Sequence, residues 1–111
     1  MKNAELVYRF IENVPLGKVT TYGAIGRALS ISPRLVGRIL HLNPNPEKYP
    51  CHRVVKSDGT VASGFAFGGR EGQMKKLVSE GIEIKDEKIN LLKYQVEYIK
   101  LPKLEMKQKS C

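Results

Sequence analysis

A chain of 111 residues, 41% hydrophobic and 27% charged, fits one globular domain with a modest core and carries no internal repeat or low-complexity stretch. No apolar run approaches a membrane span and the first residues lack a secretory signal pattern, so a cytoplasmic protein, nuclear in a nucleated cell, is expected. The formal net charge of +8, from 19 Lys and Arg against 11 Asp and Glu, favours a polyanionic partner, although lysine-rich surfaces also occur without one.

Residues 3–13 carry Leu6, Val7, Phe10, Ile11 and Val14 at helical spacing, with Asn3 as a cap, and Pro15-Leu16-Gly17 ends the helix. Thr20 or Thr21 caps a second short helix through Leu29, whose inner face is Tyr22, Ile25, Ala28 and Leu29. Ser30-Ile31-Ser32 then leads to Pro33, the start signal of a third helix running to about Leu42. Leu35, Val36, Ile39 and Leu40 form its apolar side, with Arg34, Arg38 and His41 opposite. Two short helices, a tight turn and a basic outer face predict a helix-turn-helix.

From Asn43 to His52 three prolines, Pro44, Pro46 and Pro50, predict a rigid extended loop. Val54-Val55, a Ser57-Asp58-Gly59 turn and Thr60 to Ala62 predict a small hairpin, and Ser63 to Gly69 a Gly-rich loop. A fourth helix over about 70–80 turns Met74, Leu77 and Val78 inward and ends at Gly81. Residues 82–99 read as short strands or a closing turn, and 100–111 as a basic, mobile tail. The expected fold is mainly α with a small β-hairpin, a helix-turn-helix (winged-helix-like) DNA-binding domain over 1–99.

The chemistry points to Pro50-Cys51-His52-Arg53-Val54. Two cysteines, Cys51 and Cys111, are too few for a disulfide framework and suit a reducing compartment, where Cys51 stays free to react. A cysteine beside a histidine on a proline-stiffened loop fits a nucleophile with a base nearby, since a thiol of pKa about 8.5 needs help to ionise at neutral pH. Neighbours in an extended chain point apart, and a bare Cys-His pair is more often a buried structural thiol beside an unrelated surface imidazole. Zinc would need about four ligands, and two cysteines and two histidines without paired spacing do not offer them.

The pieces VPLGKVTTYGAIGRAL, SPRLVGRIL, NPNPEKYPCHRVVKSDG and LVSEG together closely resemble the catalytic C-terminal domain of O6-alkylguanine-DNA alkyltransferases, from about Val14 to Gly81. The resemblance implies a monomer acting on double-stranded DNA that contains O6-alkylguanine, or O4-alkylthymine, without a cofactor or metal. Cys51 is then the alkyl acceptor, spent in one turnover. His52 is the base acting through a water, with Glu80 holding the imidazole in its productive tautomer. Asn43 ties the helix-turn-helix to the cysteine loop. Tyr22 donates to the departing guanine, and main-chain carbonyls near Cys51 and Val54 accept its exocyclic amine. Arg34 fills the gap left by the flipped nucleotide. Gly37 permits close approach to DNA, and Arg38 and Thr21 complete the DNA-facing set. Val54, Ala66 and Phe67 line the guanine pocket.

The family's N-terminal domain has no counterpart in the thirteen residues before Val14. The turn between Tyr22 and Arg34 is short, and SGFAFGG is longer than the family's pocket loop. The layout also resembles the alkyltransferase-like proteins, which bind alkylated guanine without the cysteine and recruit other repair machinery. Three readings therefore stand: an alkyltransferase, a recognition module for alkylated DNA, and a helix-turn-helix regulator with an incidental PCHRV.

Overall fold

The computed structural model describes residues 2–61 and 67–96. Helix α1 spans Lys2–Glu12, one residue earlier than predicted, so Asn3 lies inside it rather than capping it. Val7, Phe10 and Ile11 are buried, as is Val14 just beyond the helix. After the Pro15–Gly17 turn, strand β1 (Thr20–Thr21) leads into α2 (Tyr22–Leu29), where the Thr21 hydroxyl accepts from the Ala24 N–H. Ile25 and Gly26 are its buried positions, whereas Ala28, assigned above to the inner face, is exposed.

The turn to α3 (Pro33–His41) is closed by Ser30, in the left-handed region at φ 60°, and by the Ile31 N–H donating to the Gly26 carbonyl at 3.0 Å. A Cβ on Gly26 would stand 2.6 Å from the Ile31 carbonyl oxygen, so only glycine allows so close a crossing. Ser32 caps α3 by accepting from the Leu35 N–H. Val36, Ile39 and Leu40 face inward, and Arg34, Arg38 and His41 are exposed, as the helical spacing predicts. The helix-turn-helix is present and packs against α1.

A 3₁₀ turn (Cys51–Arg53) runs into strand β2 (Val54–Val55). The predicted hairpin is corrected here: β2 pairs in parallel with β1, Thr20 opposite Val54 and Thr21 opposite Val55, not with residues 60–62. Gly59 does make the tight turn, at φ 88°, but Thr60 bridges to Lys88, and Ala62 lies outside the described residues. The hairpin lies instead at β3 (Ile84–Lys85) and β4 (Lys88–Ile89), within the segment expected to hold short strands. Helix α4 (Gly69–Ser79) buries Gln73 and Leu77, while Val78, expected inside, is 56% exposed. The short α5 (Leu91–Tyr94) returns the chain to β1, where Gln95 bridges Val19.

Two apolar clusters result. One joins Val7, Phe10, Ile25, Val36, Leu40 and Val54; the other joins Val19, Val55, Leu77, Ile82 and Ile89. Successive strand residues point to opposite faces, so Val54 serves the first and Val55 the second. Each fully buried Val or Ile stabilises by roughly 1.5–3 kcal/mol, enough to fix β2 and the turn before it. No helix among the described residues is long and apolar enough to cross a membrane.

Candidate nucleophile and nucleic-acid face

The β1–β2 ladder sets the start of α2 beside the cysteine turn, placing Tyr22 against the cluster to which Cys51 belongs. From the other side the loop 43–50 is held by Asn43, which is buried. Its Nδ2 donates to the Tyr49 carbonyl at 2.7 Å and its Oδ1 accepts from the Asn45 N–H at 2.9 Å. The Tyr49 carbonyl also accepts from the Cys51 N–H at 2.7 Å. Asn43 thus links the end of α3 to the cysteine. Tyr8 adds a brace that the sequence reading missed: its ring stacks on Tyr49 at 4.9 Å, and its hydroxyl donates to the Ile39 carbonyl at 2.7 Å.

Cys51 and His52 sit in one tight 3₁₀ turn rather than in the extended chain predicted, and both are buried. His52 Nε2 lies 2.7 Å from Glu80 Oε2. A carboxylate only accepts, so Nε2 carries the proton and Nδ1 keeps a lone pair. Glu80, the C-terminal cap of α4, is gripped by a second residue absent from the sequence-based set. Arg53 Nε and Nη2 donate to its two carboxylate oxygens at 3.0 and 2.9 Å, and Nη1 donates to the Val14 carbonyl at 2.7 Å. Gln73 was also missed. Buried on α4, it donates from Nε2 to the carbonyls of His52 and Val54 at 3.0 and 2.8 Å. The spacing 73, 77, 80 puts Gln73, Leu77 and Glu80 on one helical face, a signal that the choice of Met74 and Val78 obscured.

Burial pushes the Cys51 thiol above its ordinary pKa, opposed by a hydrogen bond with Asn43, by its own backbone and by the charge of Lys76. Burial also lowers His52; Glu80 opposes this, and Arg53 and Lys76 reinforce it. Burial alone would raise Glu80, but hydrogen bonds from Arg53 and His52 hold it below the usual carboxylate range. Tyr22 is raised by burial and by its nearness to Cys51, so its hydroxyl keeps its proton.

Arg34 and Arg38 project from the exposed side of α3. A Cβ on Gly37 would meet only the Tyr22 ring, at 3.8 Å, ordinary contact that gives no internal reason for a glycine there. Thr21 is 3% exposed and its hydroxyl accepts from the Ala24 N–H as the α2 cap, so little of its side chain faces outward for the DNA contact expected of it. The Val54 carbonyl already accepts from Gln73 and that of Cys51 from the Val54 N–H, so a guanine amine would share them. Phe67 packs half-buried against the first cluster. Ala66 and Cys111 lie outside the described residues, among which no group of three His, Cys, Asp or Glu is placed to hold a metal ion.

The sequence profile described as 6-O-methylguanine DNA methyltransferase, DNA binding domain, matches residues 2–82. The methylated-DNA–protein-cysteine methyltransferase of Thermococcus kodakarensis is 42% identical over 78 residues, covering 69% of this chain and 43% of that protein. Among solved structures, S. pombe Atl1 in complex with damaged DNA containing O6-carboxymethylguanine superposes with a TM-score of 0.77 at 32% identity, over 87% of this chain and 96% of that one. The O6-methylguanine-DNA methyltransferase of Pyrococcus kodakaraensis gives 0.66 at 38% identity, over 74% and 47%. The chain therefore spans less than half the length of either methyltransferase.

Proposed function

Because the chain belongs to the 6-O-methylguanine DNA methyltransferase family, through that family's DNA-binding domain, we propose that it repairs DNA by moving an alkyl group from O6 of guanine to Cys51. One observation carries this reading. The buried Cys51 shares a turn with an imidazole whose Nε2 is tied to Glu80 at 2.7 Å, leaving Nδ1 to take the thiol proton through an intervening solvent molecule. The thiolate attacks the alkyl carbon in line. The carbon–oxygen bond breaks as the sulfur–carbon bond forms, and the electron pair passes to guanine. Tyr22 supplies a proton to the leaving base and regains one from protonated His52 through solvent, so that in net the one proton lost by the thiol is gained by guanine. The thioether has no easy reversal, so each molecule reacts once.

The DNA enters from the α3 side in this proposal. Arg34 occupies the stack vacated by the extruded nucleotide, Arg38 pairs with phosphate, and Gly37 lets the backbone come close. A second reading, a recognition module that binds alkylated DNA and recruits excision repair, draws support from the higher structural similarity to S. pombe Atl1 on damaged DNA and from the raised thiol.

Intact-mass analysis after mixing with duplex DNA containing O6-methylguanine separates the two. A gain of one methylene on Cys51, abolished by Cys51→Ala while that variant still binds the duplex, is the expected result. Tight binding without an adduct would overturn transfer in favour of recognition.

A further inference from the structure

Arg53 offsets the negative charge of Glu80 through two hydrogen bonds, and His52 is held towards its neutral form. The relay therefore contributes little net charge beside the thiol. A thiolate buried at this point needs a favourable charge from elsewhere, because burial alone disfavours it.

One cavity of about 460 Å³ adjoins the relay, lined by His52, Arg53 and Glu80 on one side and by Pro46 and Pro50 of the cysteine loop on the other. Lys76 lines the same cavity. It stands one turn before Glu80 on α4, where residues i and i+4 share a face. That face is pinned over the cysteine turn one turn earlier still, by Gln73 donating to the His52 and Val54 carbonyls. Among the described residues no ion pair involves Lys76, because Glu80 is turned to Arg53 and His52.

The other charged groups facing this space do not replace it. Glu12 of α1 and Glu47 of the loop, which also line the cavity, are of the wrong sign. Lys48 carries its ammonium over the Tyr49 ring, 5.4 Å from the centroid. Tyr8 and Tyr22, packed against the same cluster as Cys51, are raised by burial and stay uncharged at neutral pH.

We propose that Lys76 is an electrostatic positioning residue, an unpaired ammonium at the mouth of the relay that favours Cys51 as thiolate and His52 as neutral base. Its charge acts in the needed direction on both groups, pulling the thiol down and opposing protonation of the imidazole. A neutral base and an ionised nucleophile are the two states that attack on an alkyl carbon requires. The proposal deepens the transfer reading and rests on it for its purpose, though not for its test.

The test uses the full chain carrying Cys111→Ser, so that Cys51 is the one thiol, and follows its alkylation by iodoacetamide across pH. Lys76→Gln should raise the apparent thiol pKa by about half a unit, slowing alkylation at neutral pH roughly threefold. The difference should close at high pH and shrink in about 1 M salt. Lys76→Arg should retain the parent profile. An unchanged thiol pKa in Lys76→Gln would overturn the proposal, as would a slowing equal at every pH or an Arg variant no better than Gln. Because the probe is a small electrophile, these outcomes read the Lys76 effect even if no alkyl group is taken from DNA. Failure of transfer appears separately, in the mass assay.

Discussion

Replacing Arg53 by alanine tests the site at the point the sequence motif leaves least visible. The guanidinium spans both carboxylate oxygens of Glu80 and the Val14 carbonyl, and the Arg53 and Glu80 side chains are each only 14% exposed. Breaking a buried pair from one side costs about 3–5 kcal/mol, mostly because the remaining charge is stranded. The residual exposure places this case near the lower end, at about 3 kcal/mol. Against a total stability of roughly 5–15 kcal/mol, that corresponds to a fall in Tm of about 10–20 °C for a domain of this size.

The variant should also move the pKa of His52. Arg53 opposes protonation of the imidazole directly and also draws off the Glu80 charge. Without it, Glu80 faces His52 alone and the imidazole pKa should rise. Thermal unfolding gives the first quantity, and an NMR titration of the His52 ring gives the second. Arg53→Lys should fall between, keeping the charge but losing the planar fork. A stability loss under about 1 kcal/mol, or a His52 pKa that stays or falls, would refute the reasoning.

Four further outcomes are expected. Gly26→Ala should destabilise by more than about 2 kcal/mol, since its Cβ meets the Ile31 carbonyl. Gly37→Ala should leave stability unchanged or improve it by up to about 1 kcal/mol while weakening duplex binding about tenfold; equal affinity would remove the close-approach role. Arg34→Ala should slow repair in duplex DNA severely yet react almost normally with free alkylated guanine, and equal losses on both would mean that Arg34 supports the fold. Finally, the unfolded chain binds protons that folded His52 and Glu80 resist. Stability should therefore decline below about pH 6.5 as unfolded His52 protonates, and further below about pH 4.3 as unfolded Glu80 does. Melting curves that flatten over the first interval in His52→Gln would check this, and a Tm rising on acidification would contradict it.

The helices were legible because their signals are local. Ser32 followed by Pro33 marks the start of α3, and the i, i+4 apolar spacing of Val36 and Leu40 fixes its buried face. The strands were not. Val54-Val55 next to a Ser-Asp-Gly turn has every local mark of a hairpin, yet β2 takes β1 as its partner, which no window around residue 54 contains. The fourth helix misled for another reason. Apolar residues usually mark the inner face, but here the buried position beside Leu77 belongs to Gln73, whose amide is satisfied by two carbonyls of the turn. The motifs pointed to Cys51, His52, Glu80 and Asn43, while the holding roles of Arg53 and Gln73 could be found only through contacts 19 to 39 residues apart.

Those long-range contacts make the cysteine turn a joint product of both apolar clusters. Arg53 reaches Val14, at the end of the segment led by α1, and Glu80, at the end of α4. Val54 and Val55 divide their side chains between the two clusters. The His52–Glu80 pair can therefore form only when α4 has docked on the β1–β2 ladder, and Gln73 must reach His52 and Val54 in the same event. Cys51 belongs to the first cluster and could be buried without any of this. Burial without the relay leaves a protonated, poorly nucleophilic thiol; burial with it places a neutral imidazole beside the thiol. In the proposed transfer the relay is thus conditional on assembly of the second half of the domain, while Asn43 and Tyr22 tie the same turn to the helix-turn-helix.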